Sequence, residues 1–121
     1  MNLVISQSGK PIYEQIYEQI SLQIMNGELK ANSCLPSIRA VAKELRISVI
    51  TVNAAYELLE NNNFIYKVQG KGCFIKEHPQ KSLESKKIDI ATNKLKKDLK
   101  FYKELGLTEE NLIDLIKQNF N

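Results

Sequence analysis

A mainly α fold with a small β-wing is what this sequence predicts. Residues 1–76 read as a winged helix-turn-helix, residues 77–85 as a linker and residues 86–121 as a two-helix C-terminal appendage. Three observations predict it. Ile38, Val41, Ala42 and Leu45 repeat at helical spacing, and so do Val52, Ala55, Tyr56 and Leu59, so each set forms one apolar stripe. Only Arg46, Ile47 and Ser48 separate the two helices, and so short a linker holds them at a steep angle. Then the period changes. Residues 64–68 (FIYKV) and 73–75 (CFI) are aromatic and β-branched, and they flank Gln69-Gly70-Lys71-Gly72, which predicts two strands joined by a glycine-rich tip.

Taken in order, the chain opens on a short apolar run, Leu3-Val4-Ile5, which is either an arm or an edge strand. Pro11 suits the first position of a helix, where its missing N–H is no loss. Ile12, Ile16, Ile20 and Ile24, with Tyr13 and Tyr17 beside them, make a broad stripe that marks a core helix. Glu14, Gln15, Glu18, Gln19 and Gln23 lie mainly off that stripe, and Gly27 is the left-handed stop. Residues 28–34 form a loop in which Asn32 tolerates a left-handed backbone. Leu35 plugs the core, Pro36 fixes the approach to the next helix and Ser37 caps it. Ser48 caps the second helix, residues 49–61, because its hydroxyl can accept an unpaired backbone N–H of the first turn. With Val52, Ala55, Tyr56 and Leu59 turned inward, Val49, Ile50, Asn53 and Ala54 face outward. Two exposed apolar residues at a helix start are unusual for a plain solvated face.

Residues 77–85 (EHPQKSLES) are polar and hold a proline. After them Ile88, Leu95, Leu99 and Tyr102 form a further stripe. Lys94, Lys96, Lys97, Lys100 and Lys103 spread around it as a solvated face. Leu105-Gly106-Leu107 breaks this helix, and Thr108 caps another, with Glu109 and Glu110 where the helix dipole favours negative charge. Leu112, Ile113, Leu115, Ile116 and Phe120 supply its apolar face. Two helices of this size cannot bury that surface alone, so they need either the preceding domain or a second copy.

Composition bounds the function. The chain has 121 residues, 43% of them hydrophobic, and a formal net charge of +3, which is only weak evidence for nucleic acid. Nothing opens it as a signal peptide and no run approaches a membrane span, which predicts a cytosolic protein. Cys34 and Cys73 lack metal-type spacing and read as structural. His78, the one histidine, sits in the polar linker with no Cys, Asp or Ser at a telling spacing and reads as solvated surface. Gly70 and Gly72 are followed by no Gly-Lys-Ser or Gly-Lys-Thr, so they are not a phosphate loop. No catalytic constellation, metal site or cofactor site is present in the pattern.

The central stretch resembles the DNA-binding domain of the GntR family of bacterial transcription regulators. The resemblance is carried by Leu35-Pro36-Ser37, Arg39, Ala42, Leu45, Ser48, Thr51-Val52, Ala55 and Leu59. It continues through the wing Gln69-Gly70-Lys71-Gly72-Cys73-Phe74-Ile75. It spans residues 11–76, and the opening PIYEQI resembles the YtrA-type branch, which implies a C-terminal pair of helices that dimerises. Two departures stand out: Val49 replaces the arginine usual after the serine, and Ile38 replaces a glutamate.

The resemblance implies double-stranded DNA as partner and a homodimeric repressor on a pseudo-palindromic site. Chemistry assigns the contacts. Arg39 can fork onto a phosphate or onto guanine O6 and N7. Ser37, Ser48 and Thr51 offer hydroxyls and helix N-terminal N–H groups to phosphates. Asn53 can pair with adenine N6 and N7, or simply be an exposed polar residue. Val49 and Ile50 would touch thymine methyls, favouring an A·T-rich half-site. At the wing, Gln69, Gly70 and Lys71 approach the minor groove and Lys67 adds a phosphate contact. An effector is not evident; it would have to bind between subunits or alter the dimer angle. The alternative is a winged-helix protein-interaction module that uses Val49 and Ile50 for a partner and reads no DNA.

Overall fold

A computed structural model describes residues 1–7, 9–78 and 80–121. The chain divides into two units, Met1–Pro79 and Gln80–Asn121. The first carries α1 (Ile12–Met25), α2 (Ile38–Leu45), α3 (Val49–Asn61), β1 (Ile65–Val68) and β2 (Gly72–Ile75). The second carries α4 (Gln80–Glu104) and α5 (Glu109–Asn119).

The core of the first unit is the expected set of stripes turned inward. Ile16 and Ile20 of α1 and Val52, Ala55 and Leu59 of α3 are 0% exposed. Removing each large aliphatic side chain from water contributes roughly 1.5–3 kcal/mol. α3 is the central element, with α1, α2 and β1 packed on it. Leu35 is the expected plug and is buried, and the Tyr56 hydroxyl donates to Pro36 O at 2.7 Å, tying α3 to the entry of α2. Asn32 and Gly27 take the expected left-handed backbone, with φ 65° and 86°.

Several local features differ from expectation. Pro11 is the N-cap of α1 rather than its first residue, and its carbonyl accepts from the N–H groups of Glu14 and Gln15. The loop before α2 adds a bridge to the wing. Cys34 lies opposite Phe74, with the Leu35 N–H donating to Cys73 O at 2.8 Å and the Ile75 N–H to Ser33 O at 2.9 Å. Residues 80–85, expected as linker, are the first turns of α4. His78 is half-buried with its ring edge-on to Phe64 at 6.3 Å, not a solvated linker residue. The apolar Phe64 ring beside it supplies the reason.

The opening residues form an arm held by glutamines. The Gln23, Gln19 and Gln15 side chains each accept from one backbone N–H, of Asn2, Val4 and Ser6 respectively. Each also donates back to the same residue's carbonyl. The periods match: two residues of extended chain rise about 6.7 Å, and four residues of helix rise about 6 Å. Each amide thereby stands in for the peptide group of a neighbouring strand. Gln15 is buried, contrary to the expectation that it lay off the packed face, and it also donates to Lys10 O at 2.8 Å.

In the second unit, Gly106, at φ 85°, ends α4, and Thr108 caps α5 as expected. The cap is reciprocal: Thr108 Oγ1 accepts from the Asn111 N–H, and Asn111 Oδ1 accepts from the Thr108 N–H. No residue of α5 is buried. Leu95, Leu99 and Tyr102 of α4 and Leu112, Leu115 and Ile116 of α5 line an open, mainly apolar cleft of about 440 Å³.

Candidate nucleic-acid interface

The site is assembled at the exposed ends of α2 and α3 and at the tip of the wing. α2 and α3 each begin on a serine in extended backbone, which turns the first-turn N–H groups outward. Ser37 Oγ accepts from the Ala40 N–H at 3.1 Å, and Ser48 Oγ accepts from the Thr51 N–H at 3.1 Å. Ser48 Oγ and Thr51 Oγ1 also lie 2.8 Å apart, so one of the two hydroxyls donates to the other. Both expected caps are therefore in place, and the remaining first-turn N–H groups carry the positive end of each helix dipole.

Arg39 is exposed in the first turn of α2. Val49 is 47% exposed and Ile50 81% exposed, so the start of α3 presents apolar side chains to solvent. Asn53 follows one turn on, half-buried, with its Nδ2 donating to Glu57 Oε1 at 3.1 Å. Glu57 was not among the expected contacts; its spacing of four residues from Asn53 was the available signal.

The wing is an antiparallel pair in which Lys67 faces Cys73 and Val68 faces Gly72. The Lys71 N–H donates to Val68 O at 2.9 Å, closing a turn that needs φ 78° at Gly70, and β2 then opens on Gly72 at φ 114°. Gln69, Gly70 and Lys71 are exposed at its tip. On the outer face Tyr66 stacks on Phe74 with centroids 5.7 Å apart, and its hydroxyl donates to Asn32 Oδ1. On the other face Lys67 lines a small hollow shared with Asn53, Glu57, Glu60 and Cys73. Lys67 is therefore set beside the carboxylates of α3, apart from the tip residues.

The cysteines are free thiols; Cys34 is exposed, while burial is the main influence raising the Cys73 pKa, against the lowering effect of Lys67. Among the described residues no group of three His, Cys, Asp or Glu side chains could hold a metal ion, and no helix is long and apolar enough to cross a membrane.

Residues 12–75 match the family model described as bacterial regulatory proteins, gntR family. The chain belongs to the GntR family. Its relatives place it in the YtrA-like branch. The transcriptional repressor YtrA of Bacillus subtilis is 31% identical over 93% of this chain and 86% of its own length. A GntR-family transcriptional regulator from Listeria monocytogenes superposes with a TM-score of 0.79 at 32% identity, covering 94% of this chain and 98% of that one. The DNA-binding domain of AraR, solved in complex with operator ORX1, superposes with a TM-score of 0.53 at 27% identity over 62% of this chain and 90% of that one. This GntR-family chain is a winged helix-turn-helix transcription regulator that binds DNA.

Proposed function

We propose that this regulator is a cytoplasmic repressor that acts as a homodimer on a pseudo-palindromic operator, with half-sites about one helical turn apart. The observation that carries this reading is the start of α3. A serine-capped N-terminus with free first-turn N–H groups carries two solvent-exposed apolar residues and an amide, on the same domain as an exposed wing. Val49 and Ile50 meet thymine methyls, and Asn53 meets adenine, so the half-site is A·T-rich. Ser37, Ser48 and Thr51 bind phosphates, and Arg39 takes a phosphate or a guanine. Gln69, Gly70 and Lys71 approach the minor groove, and Lys67 adds a phosphate contact in bound duplex.

The dimer is joined through α4 and α5, since no residue of α5 is buried and Phe101, Leu105, Ile116 and Phe120 are all more than half exposed. No catalytic step and no cofactor are assigned to the chain. A second reading, a protein-interaction module that reads no DNA, draws on the same exposed Val49 and Ile50.

The test is selection from a pool of random duplexes at two salt concentrations. An enriched inverted repeat with A·T-rich half-sites supports the operator reading. Salt-sensitive binding without an enriched motif reduces the site to phosphate attraction. No binding at either salt favours the interaction module. Arg39→Ala with Lys71→Ala then separates the readings directly, because only DNA reading loses duplex affinity.

A further inference from the structure

We propose that Glu57 is a positioning residue that fixes which edge of Asn53 meets the bases, and so sets adenine over guanine at one position of each half-site. This deepens the DNA-reading role proposed above for Asn53. The two residues lie four apart on α3, and Asn53 Nδ2 donates to Glu57 Oε1 at 3.1 Å. An ionised carboxylate only accepts hydrogen bonds, whereas an amide offers two N–H groups and one oxygen. The reversed amide would set Asn53 Oδ1 against the carboxylate with no proton between them. Glu57 thus tolerates one orientation of Asn53 and rejects the other.

The orientation it keeps has a defined complement. With one N–H spent on Glu57, Asn53 retains its other N–H and Oδ1. Adenine offers a donor at N6 and an acceptor at N7, which match that pair, whereas guanine offers two acceptors, O6 and N7. Guanine would place O6 against Oδ1. A glutamine in place of Glu57 could donate or accept, and it would free Asn53 to turn.

The experiment uses the full chain and the duplex that selection returns. Affinities are measured for that duplex and for one in which the adenine facing Asn53 is replaced by guanine, with wild type, Glu57→Gln, Asn53→Ala and the double variant. The wild type is expected to prefer adenine about tenfold or more. Glu57→Gln is expected to cut that ratio by about fivefold with an unchanged melting temperature, since the substituted side chain is exposed on the helix surface. In the Asn53→Ala background Glu57→Gln is expected to leave the ratio unchanged, while both duplexes gain the same factor from the lost negative charge. An unchanged ratio in the single variant overturns the proposal, as does an equal shift in the Asn53→Ala background, which would make Glu57 act by charge alone. Failure of the underlying role has a separate signature: Asn53→Ala itself leaves the base preference intact, or the wild type selects no sequence, and the proposal falls with it.

Discussion

Gln19 holds both backbone polar atoms of Val4: its Oε1 accepts from the Val4 N–H at 2.8 Å and its Nε2 donates to the Val4 carbonyl at 2.7 Å. The same relationship one turn back, between Gln15 and Ser6, rests on a buried glutamine side chain and gains a further bond to Lys10 O. Net, an exposed bond contributes little and a buried one more, because its loss strands polar groups away from water. Gln15→Ala is therefore expected to destabilise the domain by about 2 kcal/mol, and Gln19→Ala by about 1 kcal/mol or less. Amide hydrogen exchange reads the mechanism. In Gln19→Ala the Val4 N–H should exchange freely while α3 keeps its protection; retained Val4 protection would mean that the arm is held by its apolar side chains.

Tyr56 couples stability to alkaline pH. Burial, then the neighbouring Cys73 and Cys34, raise its pKa above the ordinary tyrosine value of 10.0. The folded state thus binds this proton more tightly than the unfolded chain does. The stabilisation is fully present below the unfolded pKa, and it is lost as pH rises from about 10 toward the folded value. Denaturant midpoints should fall between pH 9 and pH 11, and Tyr56→Phe should flatten that fall. At pH 7 the same variant should cost about 1–2 kcal/mol, since Pro36 O loses its donor. A Tyr56→Phe curve as steep as wild type would assign the alkaline loss to other groups, with Cys73 the next to test because burial also raises its pKa.

The helices, their serine and threonine caps, the wing's two strands with their glycine-rich tip and the inward stripes were legible because each is written in local spacing. Ser48, for instance, needs only Thr51 to show its role. The features that were not legible are pairings across the chain. Gln15, Gln19 and Gln23 look like solvated surface until the arm returns alongside them, and Cys34 looks like loop until Phe74 lies opposite. His78 fell in a polar segment, yet Phe64 reaches it. At the site, the exposure of Val49 and Ile50 followed from helical phase, whereas the Asn53 to Glu57 bond required rotamers that spacing alone does not supply.

Arg46 and Asn63 are non-glycine residues in left-handed backbone, at φ 56° and 62°. Arg46 ends α2, and its N–H still bonds to the carbonyls of the last turn. Steric conflict between Cβ and the carbonyl costs an arginine about 1–2 kcal/mol there. The greater freedom of an unfolded glycine offsets part of the gain. Arg46→Gly is expected to stabilise by about 0.5–1 kcal/mol. Asn63→Gly should gain less, since asparagine tolerates this region better. Thermal unfolding of both variants checks the order. A destabilised Arg46→Gly would show that the arginine side chain contributes more than its backbone strain costs.

Val49 offers a direct test of base reading. It stands at the exposed start of α3 with no polar atoms in its side chain. Val49→Arg introduces a fork that fits guanine O6 and N7, a contact worth roughly 1–3 kcal/mol of discrimination. Selection from random duplexes should therefore return a guanine in each half-site with the variant and thymine at that position with wild type. Binding that tightens equally on all sequences would place residue 49 over phosphates rather than bases.

The proposed dimer through α4 and α5 can be tested at Ile116. Ile116 is 56% exposed and lines the apolar cleft of α4 and α5, and no residue of α5 is buried. A carboxylate buried there without a counter-charge would be strongly disfavoured. Ile116→Asp should therefore convert a dimer to a monomer by light scattering, while the first unit keeps its melting transition. Lys97→Glu, on the exposed face of α4, should leave the dimer intact. Two linked half-site contacts bind far more tightly than one, so the monomer should lose about a hundredfold or more in affinity for an inverted repeat. For a single half-site it should lose little. A dimer that survives Ile116→Asp would move the interface away from this cleft. A monomer with undiminished affinity for the repeat would show that the two half-sites are bound independently.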